Sequence, residues 1–464
     1  MGGRILMTKQ NPWISLSEKE RDNILEFAQK YKKFLSTIKT EREATNYAIK
    51  RAKEQNFISA CEKEELKTGD KIFYTCRNKN VALIFIGKEP IENGMNFIVS
   101  HTDSPRLDAK PSPITEESEL ALLKTNYYGG IKKYQWLSLP LSIRGIVFFQ
   151  NGEKIEINIG DDKNDPVFVI PDILPHLDRK VQRDKKSDEI IEGENLKIII
   201  GSLPIETKEK EKVKFATLKL IKEKYKIEEE DFISAEIEIV PAGEAKDIGF
   251  DRALIGAYGQ DDKVCAYTSL EAILNLEETP SKTAVCFLVD KEEIGSTGST
   301  GLNSRYLEYF VSDIIFKLDK NKYNNLLVQK VLWNSKSISA DVCGAINPLF
   351  KSVHDEQNAP KLGYGIPIMK YTGHGGKIMA SDADAELVSY IRNLLNKNNI
   401  AWQVATLGKV EEGGGGTVAK FLAHYGIRTI DMGPGVISMH SPFEITSKFD
   451  IYTSYMAYKV FFKG

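Results

Sequence analysis

Residues 283–301 read TAVCFLVDKEEIGSTGSTG. The apolar run 284–289 has the length and composition of a strand. It ends on Asp290, two adjacent glutamates and a chain of glycines and small hydroxyl residues. Neighbouring residues in an extended segment point to opposite sides. Glu292 and Glu293 therefore offer two carboxylates for two jobs; a solvated turn with spare charge is the other reading.

Working outward, alternation appears on both sides. DKVCAYTSLEAILNLEE (262–278) spaces Val264, Tyr267, Leu270 and Leu274 three or four apart, an amphipathic helix. After the quoted strand come a helix in 382–399, a strand in 402–408, a helix in 416–426, a strand in 427–433 and a last helix near 452–462. Upstream, VALIFIG (81–87) and MNFIVS (95–100) read as buried strands. Two helices precede them, and each opens on a capping box, Ser17 with Glu20 and Thr40 with Glu43. This order favours an α/β domain with helices on both faces of a sheet. Residues after about 108 differ in character. β-type runs at 143–149, 154–160, 166–170, 196–201 and 235–240 are separated by charged turns and one helical stretch, 211–226. The expected architecture is an α/β domain (1–107 and 249–464) interrupted by an inserted β-rich domain (108–248).

The chain has 464 residues and a formal net charge of −2, so one ordinary domain is too small a frame. No basic stripe suggests nucleic acid. No stretch approaches the roughly 18 apolar residues of a membrane helix. Five dispersed cysteines argue against a disulfide framework or a cysteine zinc site, which implies a reducing, cytoplasmic setting.

Chemistry-bearing residues gather where strands end, the place where α/β sheets bind ligands. His101 follows MNFIVS, and His440 lies in a loop after the strand 427–433. Asp261 and Asp262 precede a helix, Glu292 and Glu293 follow a strand, and Asp341 follows SKSIS (335–339). Singly, each has a plain alternative: a helix cap for Asp261 or Asp262, a turn residue for Asp341. Together, two histidines and several carboxylates without cysteine suit two divalent ions such as zinc, cobalt or manganese. A two-metal hydrolase needs a shared carboxylate, terminal ligands and a further carboxylate to take a proton from water. On this reading Glu293 reaches a metal and Glu292 faces the water. Asp103, two residues after His101, is placed to accept a hydrogen bond from the imidazole.

SHTDSP (100–105), GQDDKVCA (259–266), DKEEIGSTGSTG (290–301), SADVCGAINP (339–348) and DMGPGVISMHSPFE (431–444), in this order, resemble the aspartyl aminopeptidase family of dinuclear-zinc exopeptidases, in its bacterial-type branch. The resemblance covers essentially the whole chain. It implies a zinc-exopeptidase-like catalytic domain that removes N-terminal residues from peptides, with a preference for Asp or Glu. His101 and Asp341 would bind one metal, Glu293 and His440 the other, and Asp261 would bridge them. Asp262 would stand behind the ligands, and Glu292 would be the general base. The inserted domain would be a dimerisation domain, within a homo-oligomer of the dodecameric kind. His176 in LPHLDR would reach a neighbouring subunit's active site, against a plain surface-loop reading. Lys370 in IPIMKYTG would meet an acidic substrate side chain, against a solvated strand end. Gly415 and Gly416, in a run that lacks the ending of a phosphate loop, would line the substrate site, against an ordinary turn. Cys343 and Asn347 depart from the acid-specific pattern and leave the preferred N-terminal residue open. The competing readings are a dinuclear deacylase or carboxypeptidase, and an assembly protein without catalysis.

Overall fold

The computed structural model describes residues 10–464. Among these, the chain divides into two compact units. One holds residues 10–103, 245–439 and 443–464. The other holds 104–244 together with 440–442, so this last triplet groups with the inserted unit rather than with its chain neighbours.

The first unit is built on a nine-stranded mixed sheet. Its order is Ile58–Ser59, Lys71–Cys76, Asn80–Phe85, Ala284–Val289, Asn96–His101, Lys336–Ser339, Arg428–Met432, Ile366–Met369, Trp402–Val404. The quoted apolar run is the strand Ala284–Val289, and it is buried along its whole length. Alternation assigns its side chains to two different cores. Val285, Phe287 and Val289 pack with the helices Tyr306–Leu318 and Asn325–Trp333, whereas Ala284, Cys286 and Leu288 pack with Glu18–Thr37, Gln260–Leu274 and Lys448–Lys463. A strand covered on both faces has no reason to alternate apolar with polar, which is why it reads as a continuous run. Four neighbouring strands, Ala284–Val289, Asn96–His101, Lys336–Ser339 and Arg428–Met432, are mutually parallel. Their carboxyl ends therefore share one edge of the sheet.

Both expected capping boxes form, at Ser17 with Glu20 and at Thr40 with Glu43. The helices Tyr306–Leu318 and Asn325–Trp333 lie where the sequence reading placed none. Parallel strands need a crossover between them. Leu307, Phe310, Val311, Ile314 and Ile315 are buried at helical spacing, a legible signal of it.

The inserted unit carries a six-stranded antiparallel sheet, ordered Lys154–Ile159, Leu141–Phe148, Ala235–Pro241, Arg106–Glu117, Leu120–Tyr128, Lys197–Gly201. The helix Lys212–Tyr225 packs on it. Its longest hairpin, Arg106–Glu117 with Leu120–Tyr128, went unread. Its turn residues Ser118 and Glu119 adopt φ 51° and 60° without the usual Gly or Asn to announce a left-handed turn. The expected strand at 166–170 is reduced to isolated bridges, Phe168 with Leu141 and Val169 with Ile199.

Candidate functional site

Each acid and histidine of the first unit arrives by a local device. His101 is the last residue of the central strand Asn96–His101 and is buried. Asp341 follows the adjacent strand Lys336–Ser339 by two residues. Glu292 and Glu293 follow the other neighbour, Ala284–Val289. They do not continue an extended segment: Glu292–Ile294 form a 3-10 turn, entered through Lys291 at φ 71° and left through Gly295 at φ 87°. A turn, rather than strand alternation, separates the two carboxylates. Gly295 takes the left-handed conformation that other side chains resist.

Asp103 holds this turn. The Glu292 N–H donates to Asp103 Oδ1 and the Glu293 N–H to Asp103 Oδ2, each at 3.1 Å. Asp103 also backs the imidazole. His101 Nδ1 lies 3.0 Å from the Asp103 carbonyl oxygen and 3.4 Å from its carboxylate. With Nδ1 as donor, the lone pair sits on Nε2. That nitrogen lies 3.2 Å from Asp261 Oδ1, 3.9 Å from Asp341 Oδ1 and 4.0 Å from Glu292 Oε2.

Asp261 and Asp262 open the helix Gln260–Leu274, and the peptide bond between them is cis. Asp261 N–H donates to Glu444 Oε2 at 3.0 Å. Gln260 Nε2 donates to the Glu444 and Ile255 carbonyl oxygens. Asp262 Oδ2 accepts from the His101 N–H at 3.3 Å. The sequence reading did not single out Glu444. Its signal was its place at the end of the HSPFE stretch.

Ligand atoms of His101, Asp261 and Glu293 all lie within 4.8 Å of one another, and so do those of His101, Asp262 and Asp341. Burial pushes the Asp262 and Asp341 carboxyls well above their ordinary range, and neighbouring carboxylates add to the rise. Burial pulls the His101 imidazole down, but Asp103, Asp261 and Asp262 outweigh it and raise it well above its ordinary value. Burial disfavours charge on so many carboxyls around one imidazole, and a bound cation would favour their ionised form. Carboxylate and imidazole donors at this density fit divalent zinc.

The remaining sequence candidates fall outside these two ligand clusters. His440 is in the other contact unit, at φ 64°, with Nδ1 2.9 Å from the Gly130 carbonyl oxygen. His176 is exposed on a turn of that same unit. Lys370 is exposed just after the strand Ile366–Met369. Gly415 belongs to the two-residue strand Gly414–Gly415, paired with Gly373–His374, and Gly416 follows it. Tyr371, Lys377, His354, Lys409 and Gly413 line a nearby cavity of about 800 Å³. Cys343 is buried against Met369 and Ala405, and Asn347 donates its N–H to His354 Nε2.

Residues 34–462 match the family described as Aminopeptidase I zinc metalloprotease (M18). The chain belongs to the M18 aminopeptidase family. It is 81% identical over 457 residues to the "Probable M18 family aminopeptidase 1" of Borrelia garinii subsp. bavariensis, covering 98% of this chain and 100% of that protein. Among solved structures it resembles aminopeptidase I from Borrelia burgdorferi B31, at 69% identity and a TM-score of 0.85, covering 98% of this chain and 100% of the other. It also resembles the M18 aminopeptidase of Thermotoga maritima, at 46% identity and a TM-score of 0.93, covering 98% and 99%. The M18 chain is thus a zinc metalloaminopeptidase that hydrolyses peptides at the N-terminus. The deacylase, carboxypeptidase and assembly-protein readings fall. Among the described residues no helix is long and apolar enough to cross a membrane.

Proposed function

We propose that this M18 enzyme is a dinuclear aminopeptidase with a preference for N-terminal Asp and Glu. The observation that carries it is the buried set His101, Asp261, Asp262 and Asp341, with Glu292 and Glu293 on one turn beside it. His101 and Asp341 would hold one divalent ion and Glu293 and His440 the other, with Asp261 as the shared ligand; zinc is the ion the family description names, with cobalt or manganese as substitutes. When bound, such ions polarise the scissile carbonyl and acidify a water molecule.

The chain's own residues do the rest. Asp103 fixes the backbone beneath Glu292 and Glu293. Glu292 accepts the proton of the attacking water as the C–O bond forms. It returns that proton to the departing amine nitrogen as the C–N bond breaks. Asp262 grips the His101 backbone and keeps the ligand strand in place. Gly415 and Gly416 line the substrate.

Lys370 supplies the acidic preference. Lys370→Leu is expected to lower kcat/KM about tenfold more on Asp and Glu substrates than on Leu substrates, the size of one lost charge-assisted hydrogen bond. A panel of aminoacyl anilides measures this. Equal loss on every substrate would assign Lys370 to structure.

The inserted unit pairs copies of the chain, as the first step of a dodecamer-like homo-oligomer. Exposed Leu174, Leu177 and Val181 around His176 suit a protein partner. His176 acts in the partner's site and donates a hydrogen bond to the developing oxyanion, worth about 3–4 kcal/mol where such donors have been removed. Mixing the two inactive variants His176→Ala and Glu292→Gln under subunit exchange should recover part of the activity. If exchange is verified and the mixture stays inactive, His176 does not act in trans. The five cysteines form no disulfide, in keeping with a cytoplasmic enzyme.

A further inference from the structure

A carboxylate buried inside a sheet is costly unless neighbours hold it. Asp431 is such a group. It lies fully buried in the strand Arg428–Met432, between the core residues Ile430 and Met432. Burial pushes its carboxyl up to about 6, against the hydroxyls of Thr417 and Ser339, which hold it down. The chemistry described above makes no use of it.

Its position joins three segments. Asp431 is the register partner of Ser339 on the parallel side and of Met369 on the antiparallel side. Ser339 stands two residues before Asp341, and Met369 immediately before Lys370. The third segment is the glycine run 413–416. Thr417 closes that run, and its hydroxyl donates to Asp431 Oδ1 at 2.6 Å. The first half of the run, Gly413 and Gly414, has little room. A Cβ on Gly414 would lie 2.7 Å from the Gly373 carbonyl oxygen, and Gly414–Gly415 pairs with Gly373–His374, just beyond Lys370.

We infer that Asp431 is a positioning residue: through Thr417 it fixes the glycine run against the strand ends that lead to Asp341 and Lys370, so that the peptide meets a preformed wall. This rests on the proposed reading of these segments as the substrate site.

The test uses the full-length, zinc-loaded enzyme as wild type, Thr417→Val, Thr417→Ser, Asp431→Ala and the double variant Thr417→Val with Asp431→Ala. Two readouts are taken: KM and kcat on aminoacyl anilides, and the rate of tryptic cleavage after the exposed Lys409 without substrate. Thr417→Val and Asp431→Ala should each raise KM about tenfold, change kcat less than about threefold and speed cleavage about tenfold, as loss of one hydrogen bond to a charged group allows. Zinc content should not change. Thr417→Ser should behave as wild type, and the double variant should be no worse than Asp431→Ala. Thr417 Oγ1 also accepts from the Ala419 N–H at 3.3 Å, a local turn bond that Asp431→Ala leaves intact, so agreement of the two single variants separates the tether from that bond. If Asp431→Ala does not fold, Asp431→Asn takes its place with an effect of about threefold in the same direction. Unchanged KM and cleavage in Thr417→Val, or losses that multiply in the double variant, would overturn the inference. If the wild type shows no preference for Asp or Glu anilides, the acidic preference proposed above falls, and the KM and cleavage effects still decide the tether.

Discussion

Glu292→Gln is expected to lower kcat by about 10²–10⁴, the usual cost of losing a general base, while zinc content stays at the wild-type level. The amide keeps the volume of the side chain and cannot accept a proton from water. Its backbone support is untouched, because Asp103 binds the N–H of residue 292 and not its side chain. The carboxylate stands at the mouth of the buried set, 4.0 Å from His101 Nε2. That is near enough to serve a water held there and too far for a hydrogen bond to the ring. The neighbouring change, Glu293→Gln, should do the opposite and lower metal occupancy, since Glu293 shares the ligand cluster with His101 and Asp261. Metal analysis beside steady-state kinetics separates the two. Near-native turnover in Glu292→Gln would remove it from the general-base role.

Stripping the metal with a chelator should abolish hydrolysis and lower the Tm, and zinc should restore both. The physical reason lies in the charge of the site. Asp261, Asp262 and Asp341 crowd one buried imidazole, and burying like charges without a counter-charge is costly. A cation that binds only the folded chain adds RT ln(1 + [L]/Kd), about 4 kcal/mol at a thousandfold excess over Kd. For a chain of this length that amounts to a shift of several degrees. Calorimetry during a zinc titration measures it, and two equivalents per chain are expected at saturation. A Tm indifferent to zinc would count against the cation site, and saturation at one equivalent against the dinuclear arrangement.

Much of this fold was legible because its cues are local. A strand buried on both faces is a continuous apolar run, as at 284–289, and a capping box needs only residues three apart, as at Ser17 and Glu20. The hairpin at 106–128 was not legible, because Ser118 and Glu119 adopt left-handed conformations that only the surrounding sheet enforces. The segment 166–170 shows the reverse: its apolar, β-branched composition promised a strand, yet it finds only two isolated bridges.

The same division runs through the candidate site. By itself the sequence determined the residue types, their placement just beyond strand ends and the ordered motifs that mark an M18 aminopeptidase. Only the tertiary structure decided that Glu292 and Glu293 part on a 3-10 turn, and that Asp103 grips that turn from 189 and 190 residues away. It likewise decided that Glu444 holds the amide of Asp261 across 183 residues. Spacing along the chain governs which side chains share a face of one helix or strand. Which faces then meet depends on how the parallel strands pack side by side, and no local spacing encodes the neighbour that a strand end will find.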